Sequence, residues 1–160
     1  MAPAWTIRPL TGGDALAAVG VIHAAFRAQS ARTDPPSGAL RETADSVAAQ
    51  IAASGGACAE AGACMVAAIL WAEQDGGLHL GRLAVLPAWR RRGLARALVA
   101  AAEAEAYRRG LRRLSLGVRL VLEDNRRLFA ACGFVETALT SHPGYAEPTS
   151  VTMEKRLACT

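Results

Sequence analysis

Apolar positions change period several times along this chain, and each change marks an element. Residues 4–9 alternate weakly between apolar and polar side chains and predict a first strand. Over 13–29 the period becomes helical, with Leu16, Val19, Ile22, His23 and Phe26 on one stripe. The run Asp34-Pro35-Pro36-Ser37-Gly38 predicts a loop. A second helix is expected over 40–54, ended by Gly55-Gly56. Strands are expected near 57–61 and 64–74 with Gly62 as the turn, and over 78–86 after Asp75-Gly76-Gly77. Pro87 stops the last of these. A third helix is predicted over 91–109, with Leu94, Leu98, Ala101 and Ala102 on one face and Gly110 as C-terminal cap. A strand over 113–118, a short helix over 124–131 and strands near 134–140 and 149–157 complete the chain. The order β-α-α-β-β-β-α-β-α-β-β describes an α/β (α+β) fold, a mixed sheet covered by helices. No repeat or linker divides it, so residues 1–160 are expected to form a single domain.

Composition narrows the function classes. Hydrophobic residues make up 52% of the chain but aromatics only 5%, so alanine supplies much of the apolar content and favours closely packed helices. The softest run, Leu94 to Ala102, is interrupted by Arg96 and followed by Glu103, which excludes a membrane span there. Met1 to Leu10 has no basic region followed by an apolar core, so no signal peptide is expected and cytoplasmic residence is the default. Cys58, Cys64, Cys132 and Cys159 match no zinc spacing and have no histidine cluster beside them. They are expected to be reduced, mostly buried thiols, and no metal is expected.

Charge adds a local signal. The net charge is +4, and arginines gather at Arg90, Arg91, Arg92 and Arg96, then at Arg108, Arg109, Arg112 and Arg113. Arg108 and Arg109 end a helix, where the dipole favours positive charge. The earlier group opens a helix, where the dipole opposes it, so an anionic partner is implied. In Leu83-Ala84-Val85-Leu86-Pro87-Ala88-Trp89-Arg90-Arg91-Arg92-Gly93-Leu94-Ala95 a strand ends, a basic turn follows and a helix starts at small residues. Backbone N–H groups at a helix start have no internal partners, and Gly93 lets the backbone approach a ligand closely. This is an anion cradle. Neither a Walker pattern nor GxGxxG after a strand is present. Nucleic acid is disfavoured as the anion, because only Trp89 interleaves with the arginines and Glu103 and Glu105 interrupt the basic helix.

Arg90-x-x-Gly93-x-Ala95 in this setting resembles the acetyl-CoA-binding motif Q/R-x-x-G-x-G/A of the GNAT N-acetyltransferases. Asn125-Arg126-Arg127-Leu128-Phe129-Ala130-Ala131-Cys132-Gly133-Phe134 is similar to the family's later helix, and Met153-Glu154-Lys155-Arg156-Leu157 to its final strand. The resemblance implies a mostly antiparallel sheet and direct acyl transfer from acetyl-CoA to a primary amine through a tetrahedral intermediate. It implies that the pantetheine arm pairs with the fourth strand through the backbone of Leu83, Ala84 and Val85. Pyrophosphate would rest on the N–H groups of Arg91, Arg92, Gly93, Leu94, Ala95 and Arg96, with Arg90 adding charge. Asn125, Leu128 and Phe129 would flank the cofactor. A backbone N–H near Val85 would face the oxyanion.

Two proton movements remain. His79, where relatives often carry a glutamate, is the candidate base, with Glu73 in reserve. The alternative is a half-buried strand histidine held by a hydrogen bond, and Gly81 marks a bulge that decides its face. The family's general-acid tyrosine position is Phe129 here, which has no proton to give. Tyr145 is one substitute; unassisted departure of the thiolate is the other. The acceptor, a small-molecule or peptide amine, is expected between loops 30–42 and 141–148, where Asp34, Arg41, Glu42, His142 and Glu147 lie. The expected partners include neither nucleic acid nor membrane, and a homodimer is left open. The missing tyrosine also admits a CoA-binding protein without turnover.

Overall fold

The computed structural model describes residues 4–158. The strands are β1 (Thr6–Pro9), β2 (Gly56–Ala61), β3 (Cys64–Gln74), β4 (Gly77–Val85), β5 (Arg113–Arg119), β6 (Val135–Thr140) and β7 (Ser150–Arg156). The helices are α1 (Ala15–Arg27), α2 (Ala44–Ala53), α3 (Leu94–Arg108) and α4 (Glu123–Ala131). Short 3-10 turns precede α1 and α2 and follow β4. The seven strands form one sheet in the order β1-β2-β3-β4-β5-β7-β6. Every pairing is antiparallel except β4 with β5. Among the described residues no helix is long and apolar enough to cross a membrane.

Each face of the sheet buries its own cluster. On one face, Ile69, Trp71, Leu78, Leu80, Leu114 and Leu116 pack against Leu94 and Leu98 of α3 and Phe129 of α4. On the other, Ala68, Leu70 and Ala84 meet Ala18, Ile22 and Ala25 of α1 and Val47 of α2. Alternation along the strands produces both faces, since successive side chains point oppositely. Leu78, Leu94, Leu98 and Leu114 are at most 1% exposed, each worth about 1.5–3 kcal/mol of burial.

Three local expectations need correction. Leu16, read as part of the buried stripe of α1, is 75% exposed. The stripe is built instead on Ala15, Ala18, Val19, Ile22 and Ala25, whose alanines let α1 lie close to β3 and β4. The third helix starts at Leu94 and not at 91, because Arg91 and Gly93 both take left-handed backbone, with φ of 63° and 84°. The second helix starts at Ala44, where Thr43 accepts a hydrogen bond from the Ser46 N–H, and residues 38–41 form a separate 3-10 turn. Of the thiols, Cys58 is buried and burial pushes its pKa up to about 11, Cys132 is half-buried and Cys64 is exposed at the start of β3. Cys159 lies outside the described residues.

Candidate active site

The site begins where two neighbouring strands part. β4 and β5 pair only at Leu78↔Leu114, His79↔Ser115 and Leu80↔Leu116. Beyond these, β4 runs on to Val85 beside β3, and β5 runs on to Arg119 beside β7. A bulge accompanies the parting. β3 pairs Ala68 with Ala84 but Leu70 with Gly81, so β4 carries one extra residue. The residue in left-handed backbone there is Arg82, with φ of 52°, next to the Gly81 that flagged the bulge. The bulge reverses the alternation: Leu80 and Leu83 both belong to the α3 side, while Ala84 is on the α1 side.

Beyond the bulge, backbone groups take alternate directions. The Leu86 N–H donates to the Val66 carbonyl of β3 at 2.9 Å. The N–H and C=O of Val85 and Leu83 therefore turn to the other edge, toward the gap left by β5. Those of Ala84 turn back to β3, and its side chain is buried against α1 and α2. Of the three strand residues expected to meet a pantetheine arm, Leu83 and Val85 line the gap; Ala84 does not.

Two cavities open into this gap. The first, of about 390 Å³, lies between the end of β4, the start of α3 and α4. Its mouth is the basic turn. Gly93 caps α3 with φ of 84° and ψ of 5°, and a Cβ built there would meet nothing within 4 Å. The first helical bond is from the Ala97 N–H to the Gly93 carbonyl, so the N–H groups of Leu94, Ala95 and Arg96 are left for a ligand. Arg91 and Arg96 line the cavity with Gly93, Leu94 and Ala95, and Asn125, Leu128 and Phe129 face them from α4. Two arginines of the motif are otherwise occupied. Arg90 donates to the carbonyls of Ala28 and Ala25 at 2.8 and 3.1 Å, tying the end of α1 to the turn. Arg92 stacks on Trp89 at 4.5 Å and does not line the cavity.

The second cavity, of about 640 Å³, lies at the other end of the gap. Phe26, Gln29, Leu83, Leu122, Asn125 and Phe129 belong to both walls, so the two cavities adjoin. Loop residues 35–38 and 142–145 close the second one over His79. The His79 Nδ1 is 3.0 Å from the Ser115 Oγ, and burial holds its pKa below the ordinary imidazole value. The ring is therefore neutral at neutral pH and able to accept a proton. Tyr145 also lines this cavity and not the first; its hydroxyl donates to Asp34 Oδ1 at 2.5 Å. That bond raises the Tyr145 pKa and joins the two loops. Arg119 holds the same loop through the Pro35 carbonyl at 2.5 Å.

Glu73 is not in either cavity. It is on the α3 face of the sheet, where Arg109 Nη1 binds its Oε1 at 2.9 Å. The sequence signal was proximity along the hairpin, but His79 pairs with Ala72 and points to the opposite face. Residues that sequence reasoning passed over are Ser115, Gln29, Arg82 and Arg119. Only Arg82 left a trace, as the neighbour of the bulge-marking Gly81. Among the described residues no cluster of three His, Cys, Asp or Glu side chains could hold a metal ion.

The β4/β5 pair thus parts beside a basic turn that opens α3. The profile of the Acetyltransferase (GNAT) family matches residues 24–134, and the chain belongs to that family. It is an acyltransferase by family. No curated protein matches its sequence. Solved structures share the fold. The PaiA N-acetyltransferase of Thermoplasma acidophilum, in complex with coenzyme A, matches over 98% of this chain and 99% of its own, with TM-score 0.79 and 17% identity. The ribosomal-protein-S18-alanine N-acetyltransferase of Escherichia coli matches over 98% and 96%, with TM-score 0.78 and 21% identity. YncA of Salmonella typhimurium, with its cofactor acetyl-CoA, matches over 97% and 95%, with TM-score 0.76 and 19% identity.

Proposed function

We propose that residues 1–160 form one N-acetyltransferase domain that moves an acetyl group from acetyl-CoA to a primary amine by direct attack. The observation that carries this reading is the pair of adjoining cavities along the free edge of β4, one ending at the basic start of α3 and the other lined by the half-buried His79.

The residues fit the cosubstrate. The open Cβ position at Gly93 and the free N–H groups of the first turn of α3 suit a pyrophosphate, with Arg91 and Arg96 adding charge. The exposed peptide groups of Leu83 and Val85 suit the amides of a pantetheine arm. Acetyl-CoA supplies an acetyl group activated as a thioester. The Val85 N–H, turned into the gap, would receive the oxyanion of the tetrahedral intermediate. His79 takes the proton of the incoming ammonium, through a water, and the low pKa caused by burial keeps it unprotonated for that task.

No dedicated acid is assigned. Phe129 is 7% exposed and stands edge-on to Phe134 at 5.9 Å between the two cavities, where a hydroxyl would serve the thiolate. Tyr145 is committed to Asp34 on the acceptor side. With a thiol pKa near 8.5, the thiolate leaves without help at neutral pH. Cytoplasmic residence belongs to the same proposal.

The test is thiol release from acetyl-CoA across a panel of primary amines. Release that depends on an amine supports the transferase. Tight CoA binding with no release from any amine supports the second reading, a CoA-binding member without turnover, which Phe129 favours.

A further inference from the structure

The wall of the acceptor cavity has an uneven charge. Arg41, Arg82 and Arg119 line it together with His79 and His142, and no aspartate or glutamate does. The nearby carboxylates are engaged by other groups. Glu42 accepts from Arg82 Nε at 2.8 Å and also from Ser46 and Gln50. Burial acts to raise the Glu42 pKa, but those donors more than offset it and hold the group ionised. Asp34 accepts from Tyr145, and Arg119 is spent on loop carbonyls.

These partners leave a positive excess at one place. Arg41 has no hydrogen-bond or ion-pair partner among the described residues. Its Nη2 and that of Arg82 each lie 3.3 Å from the point where a Cβ on Gly38 would stand. Two guanidiniums thus converge on a glycine gap inside the cavity. Glu42 engages the Nε of Arg82 and so fixes its direction while leaving its terminal nitrogens to the gap. The backbone shows that this placement is specific. Arg82 is the bulge residue of β4, in left-handed backbone that a non-glycine residue rarely adopts. An ordinary strand residue there would face the α3 side with Leu80.

We propose that Arg41 and Arg82 bind an anionic group, carboxylate or phosphate, carried by the acceptor amine. The inference rests on the acetyltransferase reading and names its substrate class. A guanidinium pair matches the oxygens of either group by paired N–H donors. A cavity without carboxylates offers nothing to a polyamine or to a second cationic group, which selects against them.

The experiment compares amines that differ only in the anion: α-amino acids against their primary amides, and O-phosphoethanolamine against ethanolamine. Initial rates with acetyl-CoA are measured for the parent, Arg41→Gln and Arg41→Glu. Arg41 is exposed and unpartnered, so these variants keep the fold, whereas changing Arg82 would strand Glu42. The parent is expected to favour the anionic member of a pair by tenfold or more in kcat/KM. Arg41→Gln should lower that preference by about ten- to a hundredfold, through KM, and Arg41→Glu should reverse it. The two pairs tell a carboxylate from a phosphate. Calorimetric titration of the CoA-loaded protein with N-acetyl amino acids and their amides reads the same preference without turnover. Equal preference in parent and Arg41→Gln, in rates and in binding, overturns the proposal. An Arg41-dependent preference in binding with no thiol release from any amine upholds the anion site and refutes the catalytic reading instead.

Discussion

Replacing Gly93 with leucine puts a branched side chain at the mouth of the first cavity, and its expected effects on folding and on CoA binding separate cleanly. The built Cβ meets no atom within 4 Å, so the fold does not resist the added volume. The cost comes from the backbone, at φ of 84°, and is about 1–2 kcal/mol for a residue other than glycine. At about 2.1 cal/mol/K per residue of unfolding entropy, the 160-residue chain should lose about 3–6 °C in Tm. CoA at a hundred times its Kd stabilises the parent by about 2.7 kcal/mol, or about 8 °C on the same scale. Gly93→Leu should show the lower Tm and no ligand shift. Gly93→Ala carries the same backbone strain with little bulk and should keep most of the shift. Differential scanning fluorimetry with and without CoA reads all three proteins. A full 8 °C shift in the leucine variant would mean that the ligand does not sit on this turn.

His79→Ala should lower kcat/KM by about a hundredfold with CoA affinity largely unchanged, as loss of a general base does. In the parent, activity should rise through a midpoint below pH 6.5, because burial lowers the His79 pKa, and the variant should lack that limb; matching profiles would assign the ring to structure. Phe129→Tyr should raise turnover if proton delivery to the thiolate limits the rate, whereas a large loss of CoA affinity would show that the ring leaves no room for a hydroxyl. Asp14→Asn should remove a carboxylate that Arg8 holds with two 2.8 Å bonds and that Thr11 also binds. Its pKa is depressed chiefly by Arg8, so its stability is fully present above the unfolded value near 3.9 and is lost progressively as pH falls from there through the depressed folded value. The parent should exceed the variant by about 1–2 kcal/mol at pH 6, modest because Arg8 is 36% exposed, and the gap should narrow steadily as pH falls below 4 in thermal melts.

The order of elements was legible because each is short and its period distinct, and because Gly and Pro stand at most boundaries. The start of α3 was not, since nothing in Arg91 announces left-handed backbone. The buried face of α1 was misread at Leu16 because size stood in for burial, while alanines made the contact. That a basic turn and a glycine lead into α3 could be read from the sequence, because the feature is local. What lay beyond reach were pairings across the chain: Arg82 with Glu42, His79 with Ser115, Tyr145 with Asp34. Glu73 shows the same limit from the other side. It sits two residues from the turn that leads into β4, yet it projects from the face opposite His79, and Arg109 claims it.

Arg90 gives the motif a mechanical meaning beyond charge. Its guanidinium fastens the carbonyls of Ala25 and Ala28 to the turn that opens α3. The last turn of α1 also carries Phe26, and Gln29 follows it; both belong to the walls of both cavities. The clasp therefore ties the basic turn to the residues that stand between the two cavities.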